Sequence, residues 1–354
     1  MAELLPIDGA IAPLIAALLE RSLAVLQAPP GAGKTTRVPI ALLKAGLTTS
    51  KIVMLEPRRL ATRAAAERLA EELGEALGQT VGYRMRGETK VSKTTRIEVV
   101  TEGIFTRMIQ SDPELAGIGA VIFDEFHERS LNADLGLALA LEIRGALRPD
   151  LILLAMSATL DAEPVAALMG DAPVITSEGR SYPVETIHLD KPLPRDSRLP
   201  EATAALVEQA VAETEGGVLV FLPGEGEIRR TEALLKGRLP EDCDLRPLYG
   251  ALPFAAQRSA IAPVAKARKV VLSTAIAETS LTIEDIRVVI DAGRARRARY
   301  DPGSGMSRLV TERVTRAEAT QRAGRAGRVA EGRCYRLRSE EHTSELQSPD
   351  HLVC

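Results

Sequence analysis

Residues 26–36, LQAPPGAGKTT, constrain the chain more than any other stretch: an apolar run over 22–28 passes through a loop of small residues into a helical pattern. Strand, glycine-rich loop and helix in that order make a phosphate cradle. The loop exposes backbone N–H groups, and the helix N-terminus favours an anion. Gly31, Ala32 and Gly33 line such a loop, Lys34 reaches the β- and γ-phosphates, the Thr35 hydroxyl is placed to ligand Mg2+, and Thr36 completes the binding set. The match to G-x-x-x-x-G-K-[ST] has one departure, since Ala28 stands where the first Gly usually does and Pro29 and Pro30 stiffen the loop instead. A plain glycine-rich turn before an ordinary helix is the alternative. The strand–loop–helix order favours ATP or a related nucleotide with Mg2+.

A chain of 354 residues can hold about two domains with sizeable cores, and 45% hydrophobic with 26% charged residues is a globular composition. The uncharged apolar run 151–160 is too short to cross a bilayer, and the opening MAELLPIDG lacks a basic region followed by an apolar core, so a cytoplasmic protein with no membrane partner is expected. Cys243, Cys334 and Cys354 are odd in number and scattered, which argues against a disulfide framework or a structural zinc and for reduced thiols. The last stretch, 338–354 (RSEEHTSELQSPDHLVC), abandons the preceding pattern and back-translates in frame to a sequencing-library adapter. It is expected to be non-native, with the natural gene continuing past residue 337. Without it, acidic and basic residues are equal in number, so only the distribution of charge can argue for nucleic acid.

From 22 to 178, short apolar runs alternate with helical patterns. The runs at 22–28, 51–57, 95–102, 120–125, 151–158 and 174–177 read as strands of a parallel sheet covered on both faces. Ligands of such sheets collect at the carboxyl ends of the strands. A polar, proline-containing passage over 177–200 reads as a hinge plus the first strand of a second domain, and alternation resumes at 217–223, 245–250, 269–275, 286–292 and 332–337. An α/β chain of two tandem domains is expected, 1–178 and 179–337, each a parallel sheet flanked by helices, followed by the tail.

Residues 120–129, AVIFDEFHER, form an apolar run ending in two carboxylates. A nucleotide enzyme needs one acid at a strand tip to hold Mg2+ and a second to orient or deprotonate the attacking water; Asp124 suits the first role and Glu125 the second. With the ordered set GAGKTT, EPRRLAT, TEGI, DEFH, SAT, FLPG, STAIAETSLTI and QRAGRAGR, the chain resembles the DEAH/RNA-helicase-A group of superfamily 2 helicases over residues 20–337, and DEFHERSL is similar to the bacterial branch called HrpB.

That resemblance implies two RecA-like domains, ATP between them, and single-stranded RNA or DNA lying across both. It implies that Ser157, Ala158 and Thr159, with His127, couple hydrolysis to strand movement. Arg58, Arg59, Thr101, Glu102 and Gly103 would contact the nucleic-acid backbone, as would Thr274 and Thr279 from the second domain. Phosphate contacts position a strand without reading bases; a solvated surface charge is the alternative for Arg59. Asp285 is the implied ribose partner. Ala275 stands where the family has Asn, and that Asn's role is not transferred.

Arg325 and Arg328 are expected three apart on one helix face, with Gly324 and Gly327 permitting close approach. By resemblance they are arginine fingers, with Gln321 near the water. Arg294, Arg296, Arg297 and Arg299, ahead of YDPGSGM, look like the strand-separating hairpin of the family or, alternatively, a solvated charge run. No Gln precedes Gln27, so the upstream Gln with which DEAD-box relatives read adenine is missing and other nucleoside triphosphates should serve. Aromatics are 3% with no Trp, which favours backbone tracking over base stacking. The expectation is a monomeric, nucleic-acid-stimulated NTPase that translocates and unwinds; a nucleotide-gated RNA clamp is the rival.

Overall fold

The computed structural model describes residues 5–158, 162–178, 182–189, 198–264, 267–278, 283 and 285–337. Thr159, Thr279 and the tail 338–354 lie outside the described residues. The chain divides into two compact units, Met1–Arg180 and Ser181–Cys354.

In the first unit the order is α1 (Asp8–Arg21), β1 (Leu23–Gln27), α2 (Lys34–Lys44), β2 (Lys51–Glu56), α3 (Arg59–Glu72), β3 (Val81–Met85), β4 (Glu88–Lys90), β5 (Ile97–Thr101), α4 (Glu102–Ser111), β6 (Ile118–Phe123), α5 (Leu131–Ala146), β7 (Ile152–Ser157), α6 (Glu163–Leu168) and β8 (Val174–Thr176). The sheet runs β4-β3-β5-β2-β6-β7-β1-β8, parallel except for β4, which returns antiparallel on β3. Successive strand residues point to opposite faces, and both faces are apolar here. Ala24, Leu26, Ile52, Met54, Leu154 and Met156 join one core, while Leu23, Val25, Val53, Leu55, Leu153 and Ala155 join the other. Double-sided burial of this kind requires near-continuous apolar runs and helices on both sides.

In the second unit the order is β9 (Val184–His188), α7 (Leu199–Glu213), β10 (Gly217–Phe221), α8 (Glu225–Leu235), β11 (Cys243–Leu248), α9 (Phe254–Ile261), β12 (Arg268–Ser273), β13 (Ile286–Asp291), β14 (Arg294–Asp301), β15 (Met306–Arg313), α10 (Arg316–Gly324) and β16 (Gly332–Arg336). Six strands form the parallel sheet β11-β12-β10-β13-β16-β9, and β14 and β15 form a separate antiparallel hairpin. Each apolar run expected as a strand forms one. Strands β3 and β4 were not expected. β3 is short and its buried Val81, Tyr83 and Met85 are interrupted by Gly82 and Arg84, while the polar β4 sits at the sheet edge, where one side of the ladder faces solvent.

Candidate functional site

In the first unit the carboxyl ends of β1, β2, β6 and β7, adjacent in the parallel sheet, bring the chemistry-bearing residues together. The loop after β1 turns through Gly31 (φ +84°) and Gly33 (φ +93°), left-handed conformations that glycine adopts freely. Gly33 also has Leu5 Cδ1 2.6 Å from where a Cβ would stand. This geometry delivers Lys34 as the first residue of α2, and Lys34 is buried. Its Nζ donates to Glu125 Oε1 at 3.1 Å, and the next residue, Thr35, donates from Oγ1 to Asp124 Oδ2 at 2.5 Å. Two pairs that lie 91 and 89 residues apart in sequence therefore meet at one point.

Asp124 follows β6, and its Oδ1 accepts the Glu125 N–H at 2.8 Å. Glu125 is held at φ +51°, a region that costs a non-glycine residue about 1 kcal/mol or more and is retained where surrounding contacts demand it. His127 follows in a short 3-10 turn, Phe126–Glu128. Its Nδ1 accepts the Ala158 N–H at 3.2 Å and its Nε2 lies 3.4 Å from Glu125 Oε2. An accepting Nδ1 leaves the proton of a neutral imidazole on Nε2, facing the carboxylate. Glu125, His127 and Ala158 thus form one chain of contacts, and the Ser157 carbonyl beside it accepts the Ala28 N–H at 2.9 Å.

Glu56, the last residue of β2, is a member of this cluster that sequence reasoning missed. It is 1% exposed and hydrogen-bonded to Asp124. Burial, then the charges of Asp124 and Glu125, hold its carboxyl well above the usual range despite Lys34. Burial likewise pushes Asp124 up to about 6; Lys34 and the Thr35 bond oppose the shift and Glu125 adds to it. The available signal was the Glu that opens EPRRLAT, which looks like an ordinary strand end until β2 is known to lie beside β6.

Three carboxyls against one ammonium, with a hydroxyl among them, are hard oxygen donors suited to Mg2+. No group of three His, Cys, Asp or Glu among the described residues is arranged to hold a metal ion by itself. The donors fit a cation that arrives with phosphate oxygens.

The nucleic-acid candidates of this unit are less uniform. Arg58 is the N-cap of α3 and pairs with Glu128 at 3.1 Å, and the exposed Arg59 donates to the Arg86 carbonyl at 2.6 Å. Thr101 is the N-cap of α4, and the second residue of that helix, Gly103, has open space around it. Glu102 departs from expectation. Its carboxylate is buried and accepts a hydrogen bond from Ser130 Oγ, the N-cap of α5, so it braces α4 against α5 rather than facing a strand. Burial raises its pKa.

In the second unit, Thr274 follows β12, and its Oγ1 accepts the Ile276 N–H to cap a 3-10 turn, Ala275–Ala277. Three expectations need correction. Asp285 precedes β13, with its carbonyl on the Gly217 N–H at the start of β10 and Arg287 at 3.6 Å. It lies at the amino ends of the strands, one strand length of about 20 Å from the carboxyl edge where such sheets bind ligands, and it does not fit a ribose partner. Arg325 and Arg328 do not share a helix face, because α10 ends at Gly324 and both lie in the turn beyond it; Gln321 alone of the three is helical. Gly327 does permit close approach, but to this unit's own backbone, with the Tyr182 carbonyl 2.4 Å from where its Cβ would stand; Gly324 has nothing within 4 Å.

The arginine run forms β14 of the hairpin, and its charges are largely answered: Arg296 pairs with Glu227 at 3.3 Å, Arg297 with Glu312 and Glu318, and Arg299 with Glu312 at 2.7 Å. Arg322 stands with Gln321, Arg325 and Arg328 in the QRAGRAGR run. It is fully buried, 2.7 Å from Asp291 Oδ1 and 3.3 Å from Glu278 Oε2, with its guanidinium 4.9 Å from the Phe221 ring centre. Arg325, also buried, donates Nε–H to the Glu278 carbonyl at 2.9 Å.

Comparison with known proteins agrees with this arrangement. Residues 12–168 match the DEAD/DEAH box helicase family and residues 201–330 the helicase conserved C-terminal domain. The chain is 52% identical over 338 residues to the ATP-dependent RNA helicase HrpB of Escherichia coli, covering 95% of this chain and 42% of that protein. It is 38% identical to the pre-mRNA-splicing factor ATP-dependent RNA helicase prp22 of Schizosaccharomyces pombe, covering 96% of this chain and 30% of that one. A crystal structure of the Escherichia coli DEAH/RHA helicase HrpB superposes with a TM-score of 0.91 at 52% identity, over 96% of this chain and 43% of that one. The chain thus spans less than half the length of these relatives. Two RecA-like helicase domains, a phosphate loop joined to a DEFH strand end, and this level of identity identify the chain as a member of the DEAH/RHA helicase family.

Proposed function

We propose that the chain is the motor of an ATP-dependent RNA helicase, hydrolysing ATP under stimulation by single-stranded RNA or DNA and using that turnover to move along a strand, 3′ to 5′, and separate duplexes. The meeting of Lys34, Thr35, Asp124 and Glu125 carries the reading. Residues 1–178 are the ATP-binding domain and 179–337 the helicase C-terminal domain. The protein works as a monomer in the cytoplasm; no helix among the described residues is long and apolar enough to cross a membrane.

Gly31 to Thr36 bind the phosphates. Thr35 and Asp124 supply donors for Mg2+, which neutralises phosphate charge when bound. Lys34 is bonded to Glu125, and a γ-phosphate would compete for the same ammonium, leaving the Glu125 carboxylate to orient water. Arg325 and Arg328 supply positive charge as the phosphoryl group transfers, with Gln321 assisting at the water. Arg58, Arg59, Thr101, Gly103, Thr274 and Thr279 contact the strand backbone, and Ser157, Ala158 and Thr159 with His127 carry the coupling. With no adenine-reading Gln upstream, GTP, CTP and UTP also serve.

Phosphate release with and without poly(U) RNA tests this. Wild-type turnover should rise with RNA. Glu125→Gln should lower it by about 10²-fold or more and Arg325→Ala by about 10³-fold or more, with nucleotide binding retained. No turnover in any condition would favour a nucleotide-gated clamp, and a strict ATP requirement would remove the broad-nucleotide part of the reading.

A further inference from the structure

Residues 5–8, LPID, precede the phosphate loop in sequence and pack against it in space, and the functional reading gives them no part. Leu5 Cδ1 stands 2.6 Å and Ile7 Cγ2 3.3 Å from where a Cβ of Gly33 would be. The Ile7 N–H donates to the Ala32 carbonyl at 3.1 Å, and Asp8 Oδ1 lies 3.9 Å from Arg37 Nε in the first turn of α2. Three points of the cradle, at Ala32, Gly33 and Arg37, thus meet one short segment. That segment is closed on itself, since the Leu5 N–H donates to Asp8 Oδ2 at 2.8 Å and the Asp8 N–H to the Leu5 carbonyl at 3.0 Å. It is also anchored: the Pro6 carbonyl accepts from Ser177 Oγ at 3.0 Å, and the Ser177 N–H donates to the carbonyl of Gln27, the last residue of β1, at 2.8 Å. Ile7 and Ser177 are buried. The strap therefore joins the loop to the strand that feeds it.

We propose that Leu5, Pro6 and Ile7, anchored by Ser177, are positioning residues that hold the phosphate loop in its binding shape, so that this strap sets nucleotide affinity without taking part in phosphoryl transfer. The proposal rests on the functional reading above. A loop that turns on two left-handed glycines has much backbone freedom to lose, and whatever the free protein has not already given up is lost on binding. The apolar contact behind Gly33 and the bond to the Ala32 carbonyl remove that freedom beforehand. Lys34 and Thr35 are bonded to Glu125 and Asp124 and not to the strap, so loosening the strap weakens binding and leaves the step on bound nucleotide intact. A strap serving only stability would instead act on folding, lowering the active fraction and hence kcat at unchanged KM.

The test compares the wild-type chain with Leu5→Ala, which empties the space behind Gly33, and Ser177→Ala, which removes only the bond to Pro6. Ile11→Ala is the control, because Ile11 packs on the same apolar core from α1 outside the strap. Thermal melting without nucleotide, calorimetric Kd for Mg·ADP, and KM and kcat for ATP at saturating poly(U) are measured on each. Leu5→Ala should raise Kd and KM about tenfold, the scale of roughly one residue's backbone freedom, and Ser177→Ala about threefold, the scale of one hydrogen bond. In both, kcat should stay within about twofold of wild type, and Ile11→Ala should leave Kd and KM within about twofold even where it melts earlier. Unchanged affinity in folded strap variants, kcat falling at unchanged KM, or an Ile11→Ala loss of affinity equal to that of Leu5→Ala overturns the proposal. Should Leu5→Ala fail to fold, Ser177→Ala decides, because it leaves the apolar contacts of Leu5 and Ile7 in place. A wild-type chain that binds no Mg·ADP overturns the functional reading and the proposal together, whereas a wild type that binds beside variants that bind equally overturns the proposal alone.

Discussion

Two glycines three residues apart in QRAGRAGR answer to different constraints. At Gly327 an added Cβ would stand 2.4 Å from the Tyr182 carbonyl and 2.8 Å from Val184 Cγ2, and the Gly327 carbonyl already accepts the Tyr182 N–H at 2.9 Å, so neither backbone can retreat without breaking that bond. Gly327→Ala should cost about 2–3 kcal/mol of stability, in the range of core overpacking. Gly324, the last residue of α10, is exposed with nothing within 4 Å, and Gly324→Ala should be neutral or stabilise by up to about 0.5–1 kcal/mol through helix propensity. Urea midpoints of the two variants check this; equal shifts would mean that the approach to Tyr182 is not what selects glycine. The same contrast between type and surroundings applies to carboxylates. Asp124 and Glu125 were legible from their place at a strand end, whereas Glu102, in an equally suggestive motif, is turned inward to the N-cap of α5.

At the scale of the element, α10 shows how a local signal and a distant partner combine. Thr315 and Glu318 form a capping box, with the Thr315 side chain on the Glu318 N–H at 3.2 Å and the Glu318 carboxylate on the Thr315 N–H at 2.7 Å. Arg297, from the hairpin, pairs with the same carboxylate. Thr315→Ala should cost about 1 kcal/mol. Burial alone would push the Glu318 pKa up, but the Thr315 N–H, Arg297 and the Thr315 hydroxyl hold it below the ordinary value of 4.5. A depressed acid stabilises the fold fully above its unfolded pKa and loses that contribution as pH falls through the lower folded value. The urea midpoint of the wild-type chain should therefore fall more steeply below the ordinary value of 4.5 than that of Glu318→Gln; parallel profiles would remove Glu318 from the account. The capping residues are adjacent in sequence and readable there, but Arg297 is not, since its place depends on the β14–β15 register.

Across the whole molecule, each unit has its own sheet and apolar core, while the residues assigned to phosphoryl transfer are divided between them. Residues 1–180 alone carry Lys34, Thr35, Asp124 and Glu125 and should bind Mg·ATP in a calorimetric titration, yet release phosphate about 10³-fold or more slowly than the intact chain, for want of Arg325 and Arg328. Turnover by that piece at the intact rate would show that the second-unit arginines take no part. The sequence by itself determined the nucleotide loop, the acidic strand end, the alternation of strand and helix, and membership of a motif-defined family, because each is written in neighbouring residues whose spacing matches a local geometry. Only the tertiary structure decided that Glu56 shares a pocket with Asp124, that Asp285 lies at the far end of its strand, that Arg325 sits beyond its helix, and that Arg322 is buried against Glu278 and Asp291. These follow from which strands lie side by side and which end of each is which, and that order is set by the packing of two apolar faces along the whole chain.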